Sequence, residues 1–192
     1  MINNFDNFKF ERVEWEFYFF QIIKRKKDNP GVVWINWNNH ARCIKEYSIF
    51  DADQLEKRKQ EMIDIAEATN ARVYMHPTRR SSTDVRGMMC MMMWEHMYKN
   101  EHTLSWLYRS ACGASKGTDK LWVVDIDSDD IEYLAKISTK ILHTRPNKMV
   151  KQVIKTKNWW HFITNPFDLM EFKKDFPEID VHKNNPTLIY YK

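Results

Sequence analysis

The segment Leu121, Trp122, Val123, Val124, Asp125, Ile126, Asp127 constrains the fold of this chain most: an apolar run rich in β-branched and aromatic residues that ends on two acids one residue apart. Its length and composition predict a strand. Side chains alternate along a strand, so positions 125 and 127 share a face and both carboxylates project to one side. Two like charges held that close repel unless a cation sits between them. A divalent metal is the usual solution, because hard oxygen ligands at the end of a rigid strand make a platform for Mg²⁺ or Mn²⁺, and these ions commonly serve phosphate chemistry. The acids of residues 127–130 also suit plain structural duty, capping a helix that follows and complementing its dipole.

The rest of the chain from residue 72 alternates strand-like and helix-like stretches. Residues 72–77 read as a strand stopped by Pro77, residues 149–155 and 159–163 as strands around a turn at Lys157 and Asn158, and residues 179–182 and 187–191 as closing strands. Residues 83–99, 104–109, 129–142 and 166–172 carry helical spacing or helix start signals. The order β-α-(α)-β-α-β-β-α-β-β predicts an α+β fold, a mostly antiparallel sheet with helices on one face. Upstream, residues 51–69 form an amphipathic helix and residues 32–37 a strand. Residues 9–27 suit a helix or a long strand, since Phe10, Val13, Phe17, Phe20 and Lys24 recur at helix-like spacing. That segment closes on the basic run Lys24, Arg25, Lys26 and Lys27, which is expected to be a solvated helix end. The helix at 83–99 carries Val85, Met88, Met89, Met92, His96 and further methionines around much of its circumference, which predicts a buried element.

At 192 residues the chain fits a single domain, with residues 1–70 as an N-terminal α/β extension packed on a core of residues 71–192. A hydrophobic content of 43%, with only 4 Gly and 6 Pro, predicts a compact fold throughout. Three widely separated cysteines, Cys43, Cys90 and Cys112, suit free thiols in a reducing compartment. Together with the lack of a long apolar stretch, they place the chain in the cytoplasm with no membrane partner. His40 and Cys43 have ligand-like spacing, but no second pair completes a zinc set. A formal net charge of +4 mildly favours an anionic partner.

His161 stands on a strand between Trp160 and Phe162, where an imidazole can hydrogen-bond a phosphate oxygen or transfer a proton. Asp180, on a short strand, is a candidate third acid, with Thr187 and Lys183 beyond it within reach of phosphates. The small-residue loop from Gly113 to Gly117 holds Lys116, a candidate nucleotide contact without the P-loop spacing. Arg79 and Arg80 follow a strand end, and guanidinium forks grip phosphate bidentately. Lys155 and Lys157 complete the candidate nucleic-acid contacts.

In this order, an acid-hydrophobic-acid strand end, a histidine on a following strand, and a hydrophobic-Asp strand with a downstream Asn and Thr resemble the three motifs of the archaeo-eukaryotic primase and primase-polymerase superfamily. The resemblance covers residues 70–192. It implies a core similar to an RNA-recognition-motif fold and two-metal nucleotidyl transfer, with nucleoside triphosphates and a single-stranded nucleic-acid template as partners and Mg²⁺ or Mn²⁺ as cofactor. In that scheme Asp125 and Asp127 match the first-motif metal ligands, His161 the nucleotide-binding histidine and Asp180 the third-motif acid. Small residues usually precede the histidine in that superfamily, whereas Trp159 and Trp160 stand here, placed to fill the nucleotide pocket or to stack a base. The whole chain also resembles uncharacterised phage proteins, which implies the cytoplasm of a host cell. Two other functions use the same residues: a metal-dependent nuclease, and a non-catalytic phage or host interaction protein in which the acids are caps and the tryptophans a binding patch.

Overall fold

The computed structural model describes residues 1–32, 41–96, 104–115, 117, 119–146 and 148–192. The strands are β1 (Ile2–Asn3), β2 (Glu16–Arg25), β3 (Ala41–Ile49), β4 (Arg72–Met75), β5 (Arg80–Ser81), β6 (Trp122–Ile126), β7 (Val150–Lys155), β8 (Trp160–Thr164), β9 (Asp180–His182) and β10 (Thr187–Tyr191). The helices are α1 (Ala52–Thr69), α2 (Ser82–His96), α3 (Leu104–Ala114), α4 (Ile131–His143) and α5 (Leu169–Asp175). The fold is α+β, and its strands form two antiparallel sheets. One has the order β1-β10-β4-β2-β3, with β5 also paired to β2; the other has the order β7-β8-β6-β9.

The first sheet is organised by β2, whose first seven residues are all buried. Phe17 and Phe19 point to one face, where they meet Val85 of α2 with Ala111 and Cys112 of α3. Tyr18, Phe20 and Ile22 point to the other, against Met62 and Ala66 of α1. Helices therefore cover both faces of this sheet, not one. Of the two expectations for residues 9–27 the strand is realised, and the basic run closes a strand and a single 3₁₀ turn (Lys26–Asp28) instead of a helix.

In the second sheet Trp122, Val124, Ile126 and Phe162 pack on Ile137 and Ile141 of α4 and Phe172 of α5. Here the helices do lie on one face. The chain runs β6-α4-β7-β8-α5-β9, so the two middle strands of the sheet, β6 and β8, come from separate halves of that run. The acid run following β6 is partly structural, as expected: Asp130 caps α4 by accepting from the Glu132 amide at 2.9 Å.

Residue 70 does not divide the molecule into extension and core. β4 and β10, from the later part of the chain, pair with β2 and β1 in the first sheet. The Asn4 amide donates to the carbonyls of Lys155 (2.8 Å) in one sheet and Leu188 (3.1 Å) in the other. The strand expected at 32–37 lies outside the described residues apart from Val32, and β3 has no counterpart in the sequence-based expectation. α2 packs along one stripe only, with Val85 buried and Met88, Met89 and Met92 half-buried, while Met91, Met93 and Trp94 are exposed. Among the described residues no helix is long and apolar enough to cross a membrane.

His76, just past β4, is buried between charged and polar neighbours. A guanidinium only donates, so Nδ1 accepts from Arg80 at 3.1 Å and Nε2 carries the proton that is given to the Gln21 side-chain oxygen at 3.3 Å. Burial first, and then the charge of Arg80, push the His76 pKa down from 6.5 to about 3. The unfolded chain thus takes up a proton that the folded chain refuses, and stability falls as pH drops from 6.5 toward about 3. The slope of this contribution approaches about 1.4 kcal/mol per pH unit. Urea unfolding at several pH values in this window should show a shallower acid loss in His76→Gln than in wild type; parallel curves would assign the acid sensitivity to carboxylates alone.

Candidate functional site

The three strands β8, β6 and β9 place the sequence-predicted residues in one row. In register, His161 stands opposite Asp125, and Asp125 stands opposite Asp180. Ile179 and Val181 pack toward the helices, so Asp180 and His182 take the opposite face, which is also the face of Asp125 and His161. Directly opposed residues on one face of an antiparallel pair have their Cβ atoms about 4.5–5.5 Å apart. Asp127 follows the end of β6. A cleft of about 580 Å³ opens between the sheets, with Asp125, Asp127, His161, His182 and Trp159 on one side and Arg25, Arg72, Tyr74 and Leu188 on the other.

His161 is fixed at both ring nitrogens. Nε2 lies 3.2 Å from Oδ1 of Asp125, and Nδ1 lies 2.9 Å from the Thr187 hydroxyl. A carboxylate only accepts, so Nε2 carries a proton; in the neutral ring Nδ1 then accepts from the hydroxyl of Thr187. The hydrogen bond from His161 holds the Asp125 carboxyl below its usual range, opposed by burial and helped electrostatically by the nearby His161 and His182 rings. Thr187 belongs to β10 of the first sheet, so this hydrogen bond also ties the two sheets together.

Other expected residues lie elsewhere or act differently. Thr187, expected on the nucleotide, is completely buried and reaches the cleft only through His161. Arg79 and Arg80 do not offer phosphate contacts, because both are buried and engaged. Arg79 pairs with Glu16 (3.0 Å), Glu11 (3.2 Å) and Asp119 (2.7 Å), and Arg80 donates to the Ser115 carbonyl (3.1 Å) and the Asn184 side chain (2.5 Å). Lys155 is taken by Asp129 at 3.0 Å and lies over the Trp160 ring. Lys157 does line the cleft. Lys116 lies outside the described residues. Trp160 turns toward the helix-covered face and donates its indole N–H to Asp129 at 2.8 Å, which leaves Trp159 as the tryptophan on the cleft wall.

Among the described residues no three His, Cys, Asp or Glu side chains converge as a ready-made metal cage. The row nevertheless supplies the hard oxygen donors that Mg²⁺ or Mn²⁺ takes, and Mg²⁺ commonly uses only one or two carboxylates while substrate phosphates and water complete its shell. Arg25, Lys27, Arg72 and His182 were not among the expected site residues. Arg25 and Arg72 stand on the other sheet and Lys27 in the turn that follows β2, and of these the sequence marked only Arg25 and Lys27, as part of the basic run at 24–27.

Comparison of the chain with protein-family models, with curated proteins and with solved structures gives no match.

Thr187→Val should free His161 at Nδ1 and lower stability by about 1 kcal/mol, while Thr187→Ser should keep the bond. The ¹⁵N shifts of the His161 ring report the change directly. Identical ring shifts in wild type and Thr187→Val would mean that the hydroxyl does not set the tautomer.

Proposed function

We propose that this protein is a small nucleotidyltransferase of the primase-polymerase type, joining nucleoside triphosphates on a single-stranded nucleic-acid template inside the cell. The observation that carries it is the cross-strand row His161, Asp125 and Asp180, of which His161 and Asp125 stand with Asp127 on one wall of a cleft. The cleft volume of about 580 Å³ falls in the range of small-ligand sites, about 300–1,000 Å³. The β6-α4-β7-β8-α5-β9 run with its β7-β8-β6-β9 order supports an RNA-recognition-motif-like core carrying the three motifs.

In this mechanism Asp125 and Asp127, with Asp180, would hold the divalent ions. Bound there, Mg²⁺ or Mn²⁺ would activate an attacking 3′-hydroxyl and neutralise the leaving pyrophosphate. The protein's own part is positional. His161, turned from Asp125, gives its Nε2 proton in a hydrogen bond to a phosphate oxygen, while Thr187 keeps the ring oriented from behind. Trp159 offers an indole at the cleft wall on which a base can stack.

Incubation of the full chain with Mn²⁺, labelled nucleoside triphosphates and single strands should yield extended products. Replacing both Asp125 and Asp127 by Asn should reduce them at least a hundredfold while thermal unfolding still shows a folded chain. Shortened strands without added triphosphates would indicate a nuclease instead. Neither product, together with Mn²⁺ affinity equal in wild type and the double variant, would sink the proposal.

A further inference from the structure

We infer that the wall of the cleft contributed mainly by the first sheet is a subsite for a phosphate-rich anion, built from Arg25 and Lys27 beside an Arg72 already paired with Asp28, with Lys157 reaching in from the second sheet, and that it holds its ligand without a metal. The placement follows from strand register. Ile23 of β2 pairs with Arg72 at the start of β4, so β2 continues past its neighbour and carries Arg25, two residues on and on the same face, to the cleft. Lys27 sits in the single 3₁₀ turn directly after β2, and Lys157 in the turn between β7 and β8. All four line the same cleft.

Three of the four cations lack counter-charge among the described residues, and Arg72 is the exception. Asp28, beside them in sequence, is buried and held by Arg72 through two hydrogen bonds, Nε to Oδ2 at 2.8 Å and Nη2 to Oδ1 at 2.6 Å. Among the described residues Arg25, Lys27 and Lys157 have no carboxylate within ion-pair distance. Arg25 donates to the Tyr74 hydroxyl at 3.2 Å and Lys157 to the Tyr191 hydroxyl at 3.4 Å, neutral acceptors that aim a cation without neutralising it. The Tyr191 ring serves Arg72 and Lys157 alike, at 4.5 and 4.8 Å from its centroid. The mutual repulsion registers on Lys27, whose ammonium is made easier to deprotonate, first by Arg25 and then by burial, Arg72 and Lys157, against the weaker help of Asp28.

Like charges gathered from two sheets cost folding energy that a multiply charged anion offsets, and guanidinium and ammonium donors suit phosphate oxygens. Asp125 and Asp127 form the opposite pole of the cleft, which repels those oxygens and confines them to the basic wall. A phosphate chain of this kind can come from a nucleoside triphosphate or from the 5′-phosphorylated end of a strand. Only the choice between these sources rests on the nucleotidyltransferase proposal; the anion subsite does not.

The test is calorimetric titration of the full chain with inorganic tripolyphosphate in excess chelator. Saturable binding is expected, weakening as salt rises. Lys27→Gln and Lys157→Gln should each reduce the affinity about tenfold, the loss of one charge-assisted contact. Asp125→Asn should bind as tightly as wild type or more so. Displacement of tripolyphosphate by a nucleoside triphosphate or by a 5′-phosphorylated strand, with a 5′-hydroxyl strand as control, supports the subsite and identifies its source, whereas displacement by neither overturns it. Equal affinity in wild type and the two lysine variants, or binding that needs Mn²⁺ and disappears with Asp125→Asn, also overturns it. Template-directed synthesis that persists in such a case leaves the nucleotidyltransferase standing, and metal-free anion binding without synthesis leaves the subsite standing, so the two fail separately.

Discussion

The relation of the two sheets depends on one buried guanidinium. Arg79 lies between β4 and β5 and is about 5% exposed, yet it meets Glu16 at the start of β2, Glu11 in the N-terminal segment, the Tyr18 hydroxyl and Asp119 just before β6. Burying an ion costs several kcal/mol unless its partners recover it. Arg79 recovers it with a rigid fork of donors spread over three carboxylates, a geometry that lysine cannot reproduce. Glu16 is itself buried, so removing the guanidinium would also take a partner from a second buried charge, which makes the pair costly to break. Gly117 adds a backbone constraint at the same point. A Cβ there would lie 2.2 Å from the Arg79 carbonyl oxygen, so only glycine lets the chain pass that close on its way into β6.

From that anchor the cleft follows. Thr78, next to Arg79, exchanges two hydrogen bonds with the Leu121 backbone at 3.0 and 3.1 Å, fixing where β6 begins against the first sheet. Since β6 carries Asp125 four residues later, the position of the carboxylate is set by contacts at the far end of its strand. Val123, on the cleft wall, packs with Ile154 and Ile163 on the face of the second sheet that also carries the polar row. Thr187 then links that row to β10. A site assembled between sheets in this way keeps most of its charged groups of opposite sign on separate scaffolds, with Lys157 the cation that stands on the same sheet as the acids.

Much of the second sheet was legible in the sequence because its strands are short, half-buried and punctuated. β6, β7, β8 and β9 lie within a residue or so of the expected stretches, and strand alternation alone put Asp125 and Asp127 on one face. Non-local pairing was not legible. Nothing local says that β9 joins the free side of β6, which is what makes Asp180 a neighbour of Asp125. β2 was ambiguous for a physical reason: with apolar cover on both faces its residues are buried continuously, so the period of two vanishes, and Phe10 and Val13 ahead of the strand complete with Phe17 and Phe20 a spacing that imitates a helix. β3 escaped notice because its first half is largely exposed and charged, with burial confined to Tyr47 and Ile49. The opposite error befell α2, where methionine content suggested cover all round but the buried stripe is one face wide. Arg79 and Arg80 were misplaced because composition shows a charge but not the three or four groups that fold in around it.

The two tryptophans before His161 mark the clearest departure from the superfamily pattern, and the sheet resolves their opposite fates. Alternation sends Trp160 to the helix-covered face, where its indole is held by Asp129 under the Lys155 ammonium, so its bulk stays out of the cleft. Trp159 lies one residue earlier, where the β7–β8 turn is pinned by reciprocal bonds between Thr156 and Trp159: the Thr156 amide donates to the Trp159 carbonyl at 2.8 Å, and the Trp159 amide to the Thr156 hydroxyl at 3.1 Å. Its indole is over one third exposed and lines the opening. Bulk at these two positions therefore does not bar a ligand from His161. It gives one rim of the cleft a flat aromatic surface beside Lys157, with the basic wall on one side and the acid row on the other. In the proposed nucleotidyltransferase a metal–nucleotide complex would meet all three, its ring at Trp159, its phosphate oxygens at the basic wall and its cation at the acid row.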